Sequence, residues 1–260
     1  MTLSLYVVNA FTNKPFAGNP AAVCPLDARL PDDTMQSIAA QNNLSETAFF
    51  VKEGDDYRIR WFTPACEAKL CGHATLASAY VLFNELQYEG AVLRFESKSG
   101  SLTVSRDEDR LALNFPVWKL QPADNIDAVA GAIGQAPAKI CYGGDDLIAI
   151  LENESQVVNI KPDFSLVKNL RARGLIVTAP GDKVDFVSRF FAPAAGIPED
   201  PVTGSAHCAL TPYWSAELGK TKLTARQVSA RGGDLICELQ GERVKIAGNA
   251  QLYAKGHIFV

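Results

Sequence analysis

The chain has few histidines, no paired cysteines and no long apolar run. It contains 3 histidines in 260 residues and 6 cysteines, at positions 24, 66, 71, 141, 208 and 237. None of the cysteines forms a C-x-x-C pair, so no zinc-binding spacing is present and no metal is expected. Scattered cysteines of this kind fit a reduced, cytoplasmic protein in which most serve as small buried apolar residues. No stretch approaches the roughly 20 apolar residues that cross a bilayer. The start, Met1-Thr2-Leu3-Ser4-Leu5-Tyr6, has neither the basic nor the long apolar region of a secretion signal. Basic residues number 25 against 29 acidic, a net charge of −4, which argues against a nucleic-acid partner. The densest charge run, Arg106-Asp107-Glu108-Asp109-Arg110, mixes signs and reads as a solvated hairpin tip.

What is present is an ordinary globular composition, 47% hydrophobic and 21% charged. Strand-like runs dominate: 5–9, 47–52, 57–62, 91–96, 102–105 and 111–115 are apolar or alternating and rich in β-formers. Helices are fewer. One is expected over Asp32–Asn42. A second, over Gly72–Leu86, is apolar all round and therefore predicted to be buried.

The second half repeats this order. Arg60-Trp61-Phe62-Thr63-Pro64-Ala65 returns as Arg189-Phe190-Phe191-Ala192-Pro193-Ala194. A helix opening at Gly72 returns as one opening at Gly204, running to Leu218 before a capping Gly219. Pro212 is expected to kink or fray this second helix. Lys98-Ser99-Gly100-Ser101-Leu102-Thr103 is echoed by Arg231-Gly232-Gly233-Asp234-Leu235-Ile236. Self-similarity at half the chain length predicts an α+β protein of two pseudo-symmetric strand-rich halves, each wrapping a central helix, with a cleft between them. The expected boundary places 1–117 in the first half, joined by a C-terminal strand at 250–260, and 118–249 in the second.

The two helix starts carry the candidate chemistry. Gly72 and Gly204 open helices whose free backbone N–H groups suit a carboxylate, although glycine there also simply permits close packing. Cys71 and His73 flank the first start, Asp200, Thr203 and Ser205 the second. A thiol at a helix N-terminus has a lowered pKa and can act as a base. Each residue has a plain structural alternative: Asp200 as a helix cap, Cys71 as buried filler, His73 as a satisfied core group. Glu46, in Ser45-Glu46-Thr47-Ala48-Phe49, is either a solvated loop carboxylate or a partly desolvated general base.

These strings, with Phe16-Ala17-Gly18-Asn19-Pro20-Ala21-Ala22-Val23 and Glu199-Asp200-Pro201-Val202-Thr203-Gly204-Ser205-Ala206, resemble the PhzF-like (phenazine-biosynthesis isomerase-like) family through nearly the whole chain. The resemblance implies the diaminopimelate-epimerase-like fold, often a homodimer, and a biosynthetic role. In the phenazine member a hydrogen is moved around a dihydro-hydroxyanthranilate ring. By that resemblance Glu46 is the acid/base, and His73, Asp200 and Ser205 orient substrate or share its proton. Asn19, Gly72, Gly204 and Cys71 line the carboxylate site. The related epimerases use one cysteine on each half. Cys71 matches the first, but Thr203 stands where the second would be, and a hydroxyl is too weak an acid to replace it unaided.

The expected function is a cofactor-independent isomerase acting on a small carboxylate by general acid/base catalysis. Two rivals remain at this level: an amino-acid epimerase or racemase using Cys71, and a non-catalytic ligand-binding protein on the same fold.

Overall fold

Apolar alternation builds most of this chain into strands, and the computed structural model describes all residues, 1–260. Two units result: Met1–Phe115 with Ala247–Val260, and Pro116–Ile246. The first contains β1 (Thr2–Ala10), β2 (Asn19–Leu26), α1 (Asp32–Asn42), β3 (Glu46–Glu53), β4 (Asp56–Phe62), β5 (Glu67–Ala68), α2 (Gly72–Tyr80), β6 (Val92–Ser97), β7 (Gly100–Asp107) and β8 (Arg110–Pro116). The second contains β9 (Leu120–Pro122), α3 (Ile126–Ile133), β10 (Lys139–Gly143), β11 (Asp146–Ile150), α4 (Glu154–Asn159), α5 (Phe164–Asn169), β12 (Leu175–Pro180), β13 (Phe186–Ala192), β14 (Ile197–Asp200), α6 (His207–Leu218), β15 (Lys222–Gln227), β16 (Gly233–Gln240) and β17 (Arg243–Gly248). The last strand, β18 (Ala250–Phe259), pairs antiparallel with β1 from Thr2↔Phe259 to Ala10↔Ala250.

The expected duplication is visible in the strand pairing. In the first unit β1–β2 is antiparallel, β2–β3 parallel, and β3–β4 antiparallel. Then β4 meets β5 antiparallel and β6 parallel, and β6–β7 is antiparallel. The second unit repeats all six relations, in order, with β10, β11, β12, β13, β14, β15 and β16.

The helix α2 is buried along its length, from Gly72 to Ala79. Its two hydroxyls would be stranded there, so each bonds back one turn: Thr75 to the Cys71 carbonyl and Ser78 to the Ala74 carbonyl. A single π-helical turn, Val81–Glu85, continues it. The helix α1 lays Met35, Ile38 and Ala39 against Cys24, Phe49 and Phe62. In the second unit α3, α4 and α5 place Val129, Ala132, Val157 and Val167 on the apolar face of β12 and β13. These three short helices were not anticipated.

The second central helix departs from expectation in two ways. Gly204–Ala206 forms a separate 3₁₀ turn before α6 begins at His207. The helix also continues past Pro212 to Leu218 instead of fraying. Proline removes the donor that the Cys208 carbonyl would otherwise receive, and the Trp118 N–H supplies it at 2.9 Å. Gly219 ends the helix at φ 65°, as its capping role requires. The tip Arg106–Arg110 is a turn between β7 and β8. No helix is long and apolar enough to cross a membrane. All six cysteines are free, and only Cys66 is exposed.

Candidate functional site

In the first unit, Asn19, Glu46, Cys71 and His73 come together. Asn19 and Glu46 are the first residues of the parallel neighbours β2 and β3. Gly18, just before, sits at φ 69°, where a Cβ would come within 2.3 Å of the Ala10 carbonyl oxygen. No other residue fits that turn, so the glycine directs Asn19 inward. Cys71 is the N-cap of α2 and His73 its second residue.

The His73 ring is the centre of this group. Its Nδ1 lies 3.1 Å from Asn19 Nδ2 and its Nε2 lies 3.2 Å from Glu46 Oε2. The second approach is within ion-pair reach but off the alignment of a hydrogen bond. Burial pushes the imidazole pKa down to about 3, so the ring is neutral near pH 7. An amide N–H can only donate, so Nδ1 accepts from Asn19, and the single ring proton resides on Nε2. His73 therefore presents a neutral N–H toward the Glu46 carboxylate. The Glu46 side chain is only 14% exposed.

Glu46, Cys71 and His73 place ligating atoms within 4.8 Å of one another, a loose match to a three-ligand cation site. The donor set does not fit one ion. Cys71 Sγ approaches Nδ1, at 3.6 Å, whereas Glu46 approaches Nε2 on the other side of the ring. A metal takes one imidazole lone pair, and Asn19 already occupies the one at Nδ1.

In the second unit, Asp200, Thr203, Gly204 and Ser205 come together where β14 turns into α6. Thr203 Oγ1 donates to Asp200 Oδ2 at 2.5 Å. The His207 Nδ1–H donates to the Thr203 carbonyl at 2.9 Å, and burial holds this ring's pKa down to about 4. Ser205 Oγ accepts from Arg173 Nη2 at 3.3 Å. Arg173 in turn grips Asp146, a fully buried carboxylate, at 2.8 and 2.5 Å. Burial raises the Asp146 pKa, and the guanidinium opposes that rise.

Three residues here escaped the reading of the sequence: Arg173, Asp146 and Gln227. The side chain of Gln227 reaches both ends of the turn, donating to the Asp200 carbonyl at 2.6 Å and accepting from the Thr203 N–H at 2.8 Å. One signal for it was available. In Lys222-Leu223-Thr224-Ala225-Arg226-Gln227 every second residue is buried, and Gln227 is the polar residue in the buried phase. Arg173 and Asp146, 27 residues apart, carry no comparable local signal.

The chain matches the family model PhzC-PhzF, described as phenazine biosynthesis-like protein, over residues 8–256. It is 53% identical over 258 residues to an uncharacterized isomerase of Pseudomonas aeruginosa, covering 99% of each chain. A solved PhzF family protein from Enterococcus faecalis superposes with a TM-score of 0.96 at 49% identity, covering 100% of both chains. A hydroxyproline epimerase from Agrobacterium vitis shares the fold alone, with a TM-score of 0.62 at 11% identity over 99% of this chain and 92% of that one. The α+β fold expected from the repeat, and the epimerase-like fold implied by the resemblance, are thus the ones observed.

Proposed function

This chain belongs to the phenazine biosynthesis-like PhzC-PhzF family, and on that premise we propose that it is an isomerase moving a proton within a small cyclic or amino-acid-like carboxylate. Glu46 takes a proton from one carbon, the electron pair shifts through the conjugated system, and the Glu46 carboxyl returns the proton to another carbon. The observation that supports this is the Glu46–His73 pair, 3.2 Å apart, with His73 neutral. A neutral ring beside the carboxylate spares it the large loss of basicity that a full positive charge would cause. Asn19 holds the ring in the tautomer that makes this possible. Asp200 and Ser205 are proposed to orient the substrate, with Gly72 and Gly204 lending backbone N–H groups to its carboxylate.

The test is proton exchange. The protein is incubated in D₂O with a panel of cyclohexadiene and amino-acid carboxylates, and NMR follows deuterium entering carbon. Glu46→Gln should lose at least about 10²-fold of the exchange. Retention of more than about a tenth would rule out Glu46 as the acid/base.

A second reading rests on Cys71, whose sulfur lies 3.6 Å from His73 Nδ1. If exchange survives in Glu46→Gln and vanishes in Cys71→Ser, the protein is an epimerase or racemase with a thiolate base. The protein is further proposed to act in the cytoplasm as a homodimer, without metal or organic cofactor. Sedimentation at twice the 28.1 kDa chain mass tests the assembly, and undiminished exchange after dialysis against a chelator tests the chemistry.

A further inference from the structure

Two strands share one edge of β13, end to end. β15 runs beside it from Phe186↔Ala225 to Ser188↔Gln227, and β14 pairs at Phe190↔Asp200. Gln227 is the last residue of β15 and Asp200 the last of β14. Asp200, paired with Phe190, therefore stands at the break between the two strands.

The duplication supplies an internal control. In the first unit β6 and β5 share the edge of β4 in the same way. Both units also bridge the break with a serine. Ser99 Oγ donates to the Lys69 carbonyl at 2.7 Å, and Ser229 Oγ donates to the Pro201 carbonyl at 2.7 Å. That shared bond belongs to the fold. The register of Gln227 is held in the first unit by Ser97, whose hydroxyl turns to the Gly100 carbonyl at 2.8 Å within its own hairpin. The amide fork of Gln227 is thus an addition on the side that carries Asp200.

The bond directions leave no freedom. Gln227 Oε1 accepts from the Thr203 N–H, so Nε2 faces the Asp200 carbonyl, and Nε2 also approaches Thr203 Oγ1 at 3.3 Å. The Thr203 hydroxyl receives a donor there and so keeps its own proton for Asp200 Oδ2 at 2.5 Å. The amide is fully buried, where an unmade bond is costly. We infer that Gln227 is a positioning residue for Asp200: it clamps the Asp200–Thr203 turn and makes the Thr203 hydroxyl a standing donor to the Asp200 carboxylate. The inference rests on the reading that Asp200 takes part in the proton chemistry, but its central measurement needs no substrate.

That measurement is the titration of Asp200, followed by NMR in protein labelled with ¹³C at the aspartate carboxyl carbons. A hydrogen bond donated to a carboxylate favours its charged form, so losing it should raise the titration midpoint by about one unit. The rise is expected in Thr203→Val and in Gln227→Met, which keeps the buried volume, whereas Thr203→Ser should restore the wild-type midpoint. The charged pair Arg173–Asp146 and His207 are untouched in all three variants. A midpoint unchanged in Gln227→Met, or in Thr203→Val, would overturn the inference. An equal rise in Thr203→Ser would overturn it too, because the hydroxyl would then not be the agent. Absence of deuterium exchange in the wild-type protein would count against the isomerase reading alone.

Discussion

His73 and His207 tie the stability of this protein to pH. Unfolded, each imidazole takes a proton near pH 6.5, but burial holds the folded rings to about 3 and about 4. Above pH 6.5 neither ring opposes folding. As pH falls below 6.5 the unfolded chain binds protons that the folded chain refuses. Stability is then lost at up to about 1.4 kcal/mol per pH unit for each ring, until the folded values are passed. The urea midpoint should therefore drop between about pH 7 and about pH 5, and His207→Gln should flatten that drop. A midpoint that does not move would mean the rings are not buried neutral. Asp146 makes a second case. Arg173→Ala leaves its fully buried carboxylate without the guanidinium, which should lower the midpoint of thermal or urea unfolding. Arg173→Met with Asp146→Leu should recover much of that loss, since an apolar pair carries no charge to desolvate. Glu46, His73, Asp200 and Ser205 could be singled out as candidates from the sequence because they sit inside the short contiguous strings that carry the family resemblance. Gln227 and Arg173 reach the turn that holds Asp200 and Ser205 from 24–32 residues away, and Asp146 only through Arg173, so no contiguous string holds them together with it.

Individual elements were legible in proportion to their length and pattern. The α1 helix matches its expected bounds, Asp32–Asn42, because acidic residues open it and Met35, Ile38 and Ala39 fall on one buried face. The α4 and α5 helices have 6 residues each, too few for a helical period to show. Their starts did carry a signal: Asn153 and Asp163 cap them, accepting from Gln156 N–H and from Ser165 and Leu166 N–H. Pro212 does not fray the helix, because the bond it removes is made good by a residue far upstream, Trp118. Glycines allow a graded test at this scale. A methyl added at Gly219 meets nothing within 4 Å, so Gly219→Ala should cost only about 1 kcal/mol for its left-handed backbone. Gly18→Ala adds a collision with the Ala10 carbonyl oxygen at 2.3 Å and should cost clearly more. Equal melting temperatures for the two variants would contradict this difference.

Across the molecule, six strand relations recur in the same order, and two six-residue echoes with a repeated glycine-opened helix start were enough to announce them. The finer division of labour was hidden, because the two copies share a framework and differ in single side chains such as Ser97 and Gln227. One strand also breaks the symmetry of the chain. Of the elements described, β1 is made before all the others and β18 after them, yet they are neighbours over Thr2–Ala10 and Ala250–Phe259. The second unit, by contrast, is contiguous from Pro116 to Ile246. On the ribosome the order of completion is therefore inverted. The later unit has all of its chain in hand while the earlier one still shows a bare strand edge, and such edges recruit other chains. For as long as translation takes to pass from Ala10 to Phe259, the nascent protein depends on whatever shields that edge.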